Sequence, residues 1–338
     1  ISLSTLTAVG DIDGNGTKDV LIASRNTSKL AWLSNTNGLG VFSEMPKNIT
    51  TSLQSYTSAI LIDANNDGYL DIVVSSASDT TNKIVWLAND GQGNFSNEQL
   101  LYTSNIHTLI AEDVDNDGDK DLIAYFGYTN SQVTTSELKV FKNNGNGFDP
   151  PVIFSYPTNT FKSIKAVDMD NDGDLDFMIY LSSSTAQSPA GLYWIENTNG
   201  LGDYSVLHPT NLLLVSSKNF DIGDWNNDGL KDLVYTYRTQ IGVRYLRSVT
   251  INSDGTLGTP INLPVTGINN TLIKLVDLDN DGDLDILSEF TSGNTYFFWY
   301  ENLGDGSFTY HSIFDFTIPV NSPNFLEDLN ADGKIDFA

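Results

Sequence analysis

The sequence contains no cysteine, only three histidines, and 17 lysines and arginines against 43 aspartates and glutamates. Without cysteine, disulfides and zinc–thiolate centres are excluded. The formal net charge of −26 argues against a nucleic-acid partner, because such partners require a basic surface. The sequence also lacks any run of eighteen apolar residues, so neither a membrane-spanning helix nor membrane insertion is expected.

Aspartate, by contrast, is abundant, and more than half of the acidic residues belong to a repeated nine-residue loop. In residues 277–285, DLDNDGDLD, side-chain oxygens fall at positions 1, 3, 5 and 9, and Gly282 occupies position 6. Hard cations such as Ca²⁺ prefer six to eight oxygen ligands, and a glycine permits the sharp turn that brings these positions together. The pattern therefore predicts a cation-binding loop.

Seven copies occur, with first positions 50 to 56 residues apart, and we number them acidic loops 1 to 7 in chain order. Their side chains at positions 1, 3, 5 and 9 are, in turn, Asp11, Asp13, Asn15 and Asp19; Asp63, Asn65, Asp67 and Asp71; Asp113, Asp115, Asp117 and Asp121; Asp168, Asp170, Asp172 and Asp176; Asp224, Asn226, Asp228 and Asp232; Asp277, Asp279, Asp281 and Asp285; Asp328, Asn330, Asp332 and Asp336. Loops 1, 2, 5 and 7 carry one carboxylate fewer, and we expect weaker binding there.

Two other calcium motifs are excluded by the same residues. An EF-hand requires a glutamate at position 12 and flanking helices. Position 12 is apolar, aromatic or serine in the first six copies, and the chain after each loop is rich in β-formers, such as LIAY after Asp121. The glycine-rich repeat of calcium-binding β-helices is only nine residues long, far shorter than the period here.

Each period predicts four short strands, which makes the chain all-β. One strand leads into the acidic loop and a second leaves it; a third carries an aromatic residue and ends in a glycine-rich hairpin turn before the fourth. Four-stranded antiparallel units with this spacing favour a seven-bladed β-propeller over a sandwich of hairpins. We expect one domain over residues 1–338, with six complete repeats and an incomplete seventh blade.

The recurring aromatic residue of the third strand has two possible roles. It is Trp32, Trp86, Phe141, Trp194 or Trp299, with Leu246 in its place in the fifth repeat. These rings could form a ladder on which sugars stack. Packing between neighbouring blades is favoured, because the same apolar neighbours accompany the ring each time.

The loops and the W-x-x-N…G-x-G-x-F hairpins resemble the FG-GAP (VCBS) repeat of the integrin α-subunit propeller and of secreted bacterial proteins, in style those of Bacteroidetes. The resemblance implies up to seven Ca²⁺ ions. It also implies a main-chain carbonyl ligand at position 7 of each loop, from Thr17, Tyr69, Asp119, Asp174, Leu230, Asp283 and Lys334. The chain departs from integrin in lacking cysteine and in carrying an acidic loop in every repeat.

The expected function is a calcium-stabilised binding or adhesion module without catalytic activity, secreted or at a cell surface, for glycan or protein ligands. The three histidines, among them His107, lie in different repeats and belong to no catalytic motif. Candidate ligand contacts are Tyr56, His107, Tyr128 and Phe161, with the variable segments 76–82, 127–136, 182–190, 238–242 and 291–295. Two alternatives remain: a substrate-binding domain of a polysaccharide-degrading enzyme, and a structural spacer.

Overall fold

The computed structural model describes residues 5–25, 27–77, 82–103, 108–126, 136–156, 161–181, 191–212, 220–239, 243–265, 272–292, 294–316 and 326–337. All regular secondary structure in these ranges is β-strand. The described residues contain no helix that could cross a bilayer. The chain divides into two compact units, one of residues 1–160 with 323–338 and one of residues 161–322.

The first unit contains three four-stranded antiparallel sheets and one two-stranded sheet. Sheet 1 is β1 (Thr5–Gly10), β2 (Asp19–Ser24), β3 (Lys29–Leu33) and β4 (Lys47–Ile49); sheet 2 is β5 (Tyr56–Ile62), β6 (Asp71–Ser76), β7 (Lys83–Leu87) and β8 (Gln99–Thr103); sheet 3 is β9 (Thr108–Glu112), β10 (Asp121–Phe126), β11 (Ser136–Phe141) and β12 (Val152–Tyr156).

The second unit contains three more sheets of the same order. Sheet 4 is β13 (Phe161–Val167), β14 (Asp176–Leu181), β15 (Gly191–Glu196) and β16 (Val206–Pro209); sheet 5 is β17 (Phe220–Gly223), β18 (Asp232–Arg238), β19 (Arg244–Thr250) and β20 (Ile261–Asn262); sheet 6 is β21 (Leu272–Val276), β22 (Asp285–Ser292), β23 (Asn294–Asn302) and β24 (Phe308–Phe316). In the first unit, β25 (Leu326–Glu327) pairs with β26 (Asp336–Phe337) around acidic loop 7.

Every sheet runs in chain order, and each acidic loop joins its first strand to its second. This confirms the predicted all-β repeat of four antiparallel strands. The second strand is buried along its whole length in β6 and β14. In β6, apolar side chains of sheet 1 cover one face and those of sheet 3 cover the other. The fourth strands are mostly exposed, and they expose apolar side chains such as Leu100 of β8 and Val152 and Ile153 of β12.

The core lies between sheets, in clusters that join sheets 1 and 2, 2 and 3, 4 and 5, and 5 and 6. The aromatic residue of the third strand belongs to these clusters: Trp32 is fully buried, and Trp86 and Trp194 are 7% and 6% exposed. A Cβ added to Gly93 in the hairpin of sheet 2 would lie 2.2 Å from the Trp32 ring. The rings therefore pack against the next sheet, which confirms the packing interpretation.

Candidate metal centre

The backbone of each acidic loop turns at two residues in the left-handed region. Position 6 is always glycine, with φ between 85° and 97°, and position 4 has φ between 55° and 71°. Position 4 is glycine in loop 1, asparagine in loops 2 to 6 and Ala331 in loop 7. Asparagine tolerates this conformation better than other non-glycine residues. The sequence analysis missed position 4, although the recurring asparagine signalled it.

The carboxylates at positions 1 and 5 hold this backbone in place. The Asp277 carboxylate accepts the Gly282 N–H at 3.0 Å, and the Asp281 carboxylate accepts the Asp283 N–H at 2.9 Å. The same two contacts recur in loop 3, where Asp113 and Asp117 are the acceptors. The loop backbone is therefore held by hydrogen bonds to its own side chains, independently of a bound cation.

The aspartate at position 9 is the most buried group of the loop. Asp71 is fully buried, and its two oxygens accept the N–H of Asn89 at 2.7 Å, the N–H of Ala64 at 3.3 Å and the indole N–H of Trp86 at 2.9 Å. Loops 1, 3, 4 and 6 repeat the two backbone contacts. Position 9 therefore ties the loop to the third strand of its own sheet.

Positions 1, 3 and 9 converge in four loops. One carboxylate oxygen from each of Asp11, Asp13 and Asp19 lies within 4.8 Å of the others, and loops 3, 4 and 6 contain the same cluster. In these four loops, several aspartate oxygens are buried without a hydrogen-bond partner: Asp13 Oδ1, Asp113 Oδ1, Asp115 Oδ1, Asp168 Oδ1 and Asp170 Oδ1; Asp232 Oδ2 of loop 5 is buried in the same way. Buried carboxylate oxygens are costly unless a cation or donor faces them, so the donor set fits a hard cation.

Loops 2, 5 and 7 differ because asparagine occupies position 3. The side-chain amide of Asn65 donates to Asp67 at 2.9 Å, and Asn226 and Asn330 donate to the matching aspartates. The amide removes one negative charge and also occupies an oxygen of position 5. Both effects agree with the weaker binding expected for these loops, which stays a prediction.

Comparison with known families decides the assignment. The FG-GAP-like repeat matches residues 11–74, 63–124, 224–288 and 277–338, and each match spans two consecutive acidic loops. These ranges cover more than half of the chain. The chain belongs to the FG-GAP-like repeat family. Acidic loop 4 lies outside the matched residues but has the same strands and the same carboxylate cluster.

Solved structures agree on the fold. The exotype rhamnogalacturonan lyase YesX is similar with a TM-score of 0.52 at 14% identity, over 92% of this chain and 65% of that one. The Tc holotoxin pore of Photorhabdus luminescens gives 0.49 at 15% identity, over 90% of this chain and 14% of that one. The six four-stranded antiparallel sheets are consistent with a β-propeller, and we call each sheet a blade with the same number. No curated protein matches the sequence.

Within each unit, an asparagine at the end of the third strand links neighbouring FG-GAP-like repeats. The Asn89 amide of blade 2 donates to the Ile12 carbonyl of loop 1 at 2.8 Å, and Asn302 of blade 6 donates to the Trp225 carbonyl of loop 5 at 2.7 Å. The Asn35 amide of blade 1 donates to the Leu329 carbonyl of loop 7 at 2.8 Å. Loop 7 therefore adjoins the first blade, although the two are at opposite ends of the sequence.

Two of the four residues predicted to contact a ligand are described by the structure, and both are buried. Tyr56 is 2% exposed, and its hydroxyl shares a hydrogen bond with Thr51 at 2.6 Å; Phe161 is 3% exposed. Neither ring offers free surface. His107, Tyr128 and most of the variable segments lie outside the described residues, so their roles stay predictions.

Two histidines that the sequence analysis set aside occupy equivalent places in blades 4 and 6. His208 pairs with Glu196 and His311 pairs with Glu301, each at 2.7 Å, and each imidazole packs on the tryptophan opposite it on the third strand. Their recurrence one strand after W-x-E, at Trp194 and Trp299, was the available signal. His208 also lines a cleft of about 390 Å³ between blades 4 and 5.

We expect the metal-free and calcium-loaded proteins to respond to pH in opposite directions. Burial raises the pKa of Asp121, Asp176 and Asp232 to about 6, above the ordinary value of 3.8. The folded metal-free protein therefore binds more protons than the unfolded chain between about pH 4 and 6, and acidification from pH 7 to 5.5 raises its Tm. With calcium, the cation requires ionised carboxylates, so the same acidification lowers Tm.

Thermal melts in buffers passed over a chelating resin, with and without added calcium, measure both slopes. Equal slopes in the two conditions would contradict the assignment of these carboxylates to cation sites.

Proposed function

We propose that the chain is a calcium-stabilised extracellular β-propeller of seven blades, which serves as a non-catalytic binding module for glycans or proteins at a cell surface. Two parts of the structure support the proposal. The acidic loops support the calcium role, and the cleft between blades 4 and 5 supports the binding role.

Calcium suits the loops better than other common cations. Every donor is an oxygen, from carboxylates, side-chain amides or the main chain, which excludes metals that prefer sulfur or nitrogen. Mg²⁺ demands a small octahedral shell and retains its water, whereas Ca²⁺ accepts the irregular set that a nine-residue loop provides. When bound, the cation would offset two of the negative charges on the three or four carboxylates; the protein supplies the turn, the buried position-9 aspartate and the link to the neighbouring blade.

Seven blades are proposed because acidic loop 7 adjoins blade 1. Besides the Asn35 contact, Lys18 Nζ lies 2.6 Å from Glu327 Oε2, so β25 and loop 7 are bound to the first repeat at two points. Strands β25 and β26 supply two strands of a seventh blade. Sequence-distant ends that meet in this way favour a closed ring, since closure removes exposed sheet edges.

The cleft between blades 4 and 5 is the proposed ligand-binding site. Its walls include His208, Asn211 and Thr210 from blade 4 and Asp254 and Thr256 from the hairpin of blade 5. Trp194 and Leu257 add apolar surface, and the volume of about 390 Å³ accommodates one or two sugar rings. Alternating donors and acceptors beside aromatic surface match the hydroxyl groups and apolar faces of a sugar.

A glycan array followed by calorimetry tests this role. We expect Asp254→Ala combined with His208→Ala to weaken binding of the best glycan by about tenfold or more, because two polar contacts are lost. His311→Ala is the matched control, since His311 has the same glutamate and tryptophan partners in blade 6. If the double variant and the His311→Ala control bound the glycan with equal affinity, the ligand would bind outside the cleft between blades 4 and 5.

A further inference from the structure

Acidic loops 3, 4 and 6 carry identical side chains at every ligand position. Their sequences are DVDNDGDKD, DMDNDGDLD and DLDNDGDLD, with aspartate at positions 1, 3, 5, 7 and 9. The ligand positions alone therefore predict equal affinity for a cation, although loop 3 also carries Lys120 at non-ligand position 8, where loops 4 and 6 have leucine. The surroundings of the three loops, however, are not equal.

The difference lies on the third strand, at the residue just before the hairpin asparagine. Strand register places this residue across from the position-9 aspartate: Leu122 pairs with Phe141, and Ile286 pairs with Tyr300, so the next residues, Lys142 and Glu301, lie beside loops 3 and 6. Glu196 holds the same place beside loop 4. The residue at this position is a lysine in blade 3 and a glutamate in blades 4 and 6.

Lys142 contacts loop 3 directly. Its Nζ lies 2.9 Å from Asp115 Oδ2, and both side chains are largely buried, at 32% and 13% exposure. The remaining oxygen, Asp115 Oδ1, is buried without a partner. In loop 1 the same place is held by Ser34, whose hydroxyl donates to Asp13 Oδ2 at 3.0 Å. In loops 3 and 1, the third-strand residue therefore contacts the position-3 aspartate through an ion pair or a hydrogen bond.

Glu301 has the opposite charge and a fixed position. His311 Nε2 lies 2.7 Å from its carboxylate, which directs the glutamate along the same edge of blade 6. Loop 4 is less simple, because Lys231 of blade 5 also lies 3.7 Å from Asp168. Loops 3 and 6 are therefore the clean comparison.

We infer that the third-strand residue before the hairpin asparagine sets the cation affinity of each acidic loop. Lys142 lowers the affinity of loop 3 because its positive charge already pairs with the loop, whereas Glu301 makes loop 6 the tighter site. The inference rests on the proposed calcium role and adds an order of filling to it. One unit charge about 4 to 6 Å from the cation changes the affinity by about tenfold or more at the dielectric of a protein surface. Loop 3 consequently has one of its negative charges paired without metal, whereas loop 6 has an additional negative charge beside it.

Two glycine amides report on the two loops separately. Gly118 N–H and Gly282 N–H each donate to the position-1 carboxylate at 3.0 Å, so their NMR signals respond to occupation of loops 3 and 6. The whole chain labelled with ¹⁵N-glycine contains 27 such residues. A calcium titration of this protein gives a midpoint for each loop, with no need for an activity assay.

In the unmodified protein, Gly282 is expected to reach its midpoint at about a hundredfold lower calcium than Gly118, because Lys142 and Glu301 differ by two unit charges. Lys142→Met lowers the Gly118 midpoint and leaves Gly282 unchanged, and Glu301→Gln raises the Gly282 midpoint only. The charge swaps Lys142→Glu and Glu301→Lys reverse the order, while Lys29→Met, which removes a charge at the exposed first residue of β3, changes neither midpoint.

Equal midpoints for both amides, unmoved by the neutral variants Lys142→Met and Glu301→Gln, would overturn the inference while leaving calcium binding in place. Absence of any response of either amide to calcium would overturn the proposed calcium role itself. The two failures are therefore distinguishable in one titration series.

Discussion

Asp71→Ala is expected to lower the free energy of unfolding by about 3 to 5 kcal/mol even in the presence of a chelator. The substitution leaves three buried donors without an acceptor: the backbone N–H groups of Asn89 and Ala64 and the indole N–H of Trp86. Each unpaired buried donor costs about 1 to 3 kcal/mol. Denaturant unfolding of metal-free protein measures the loss without any contribution from cation binding.

Asp67→Ala is the matched control, because Asp67 belongs to the same loop but is exposed and mainly caps the Tyr69 N–H. In chelator it is expected to cost no more than about 1 kcal/mol. With calcium present, both substitutions reduce stability further. If Asp71→Ala proved as mild as Asp67→Ala in chelator, position 9 would be a cation ligand only, and its structural role would be wrong.

The sequence alone predicted the repeat well, because its signals are local. Seven aspartate patterns at near-constant spacing fix the loops, and the apolar runs beside them fix the strands. The packing of Trp32 and Trp86 between sheets also followed from their recurring apolar neighbours. In each case the residues that carry the signal are close in sequence to the feature that they specify.

What the sequence could not show depends on contacts between strands. The pairing of Lys142 with Asp115 follows from β10–β11 register, and the link from Asn35 to Leu329 joins opposite ends of the chain. Neither can be read from spacing. The four predicted ligand contacts were chosen from their positions in the sequence, which does not show that Tyr56 and Phe161 are buried or that Tyr56 packs in the core between sheets 1 and 2.

Removal of calcium is expected to have the largest effect of all. Metal-free loops hold three or four carboxylates within a few ångströms of one another, and the chain carries a net charge of −26. Each occupied loop contributes about 2.7 kcal/mol when free calcium exceeds Kd a hundredfold. Occupation of three loops alone would raise Tm by about 10 °C or more.

The central claim, that cations in the acidic loops hold this FG-GAP-like repeat fold together, is tested most directly by thermal melts of the whole chain in excess calcium, in excess magnesium and in chelator. The account predicts a large fall in Tm on chelation, which calcium reverses fully and magnesium reverses only in part. An unchanged Tm across the three conditions would contradict it, because the loops would then support the fold through their own hydrogen bonds alone.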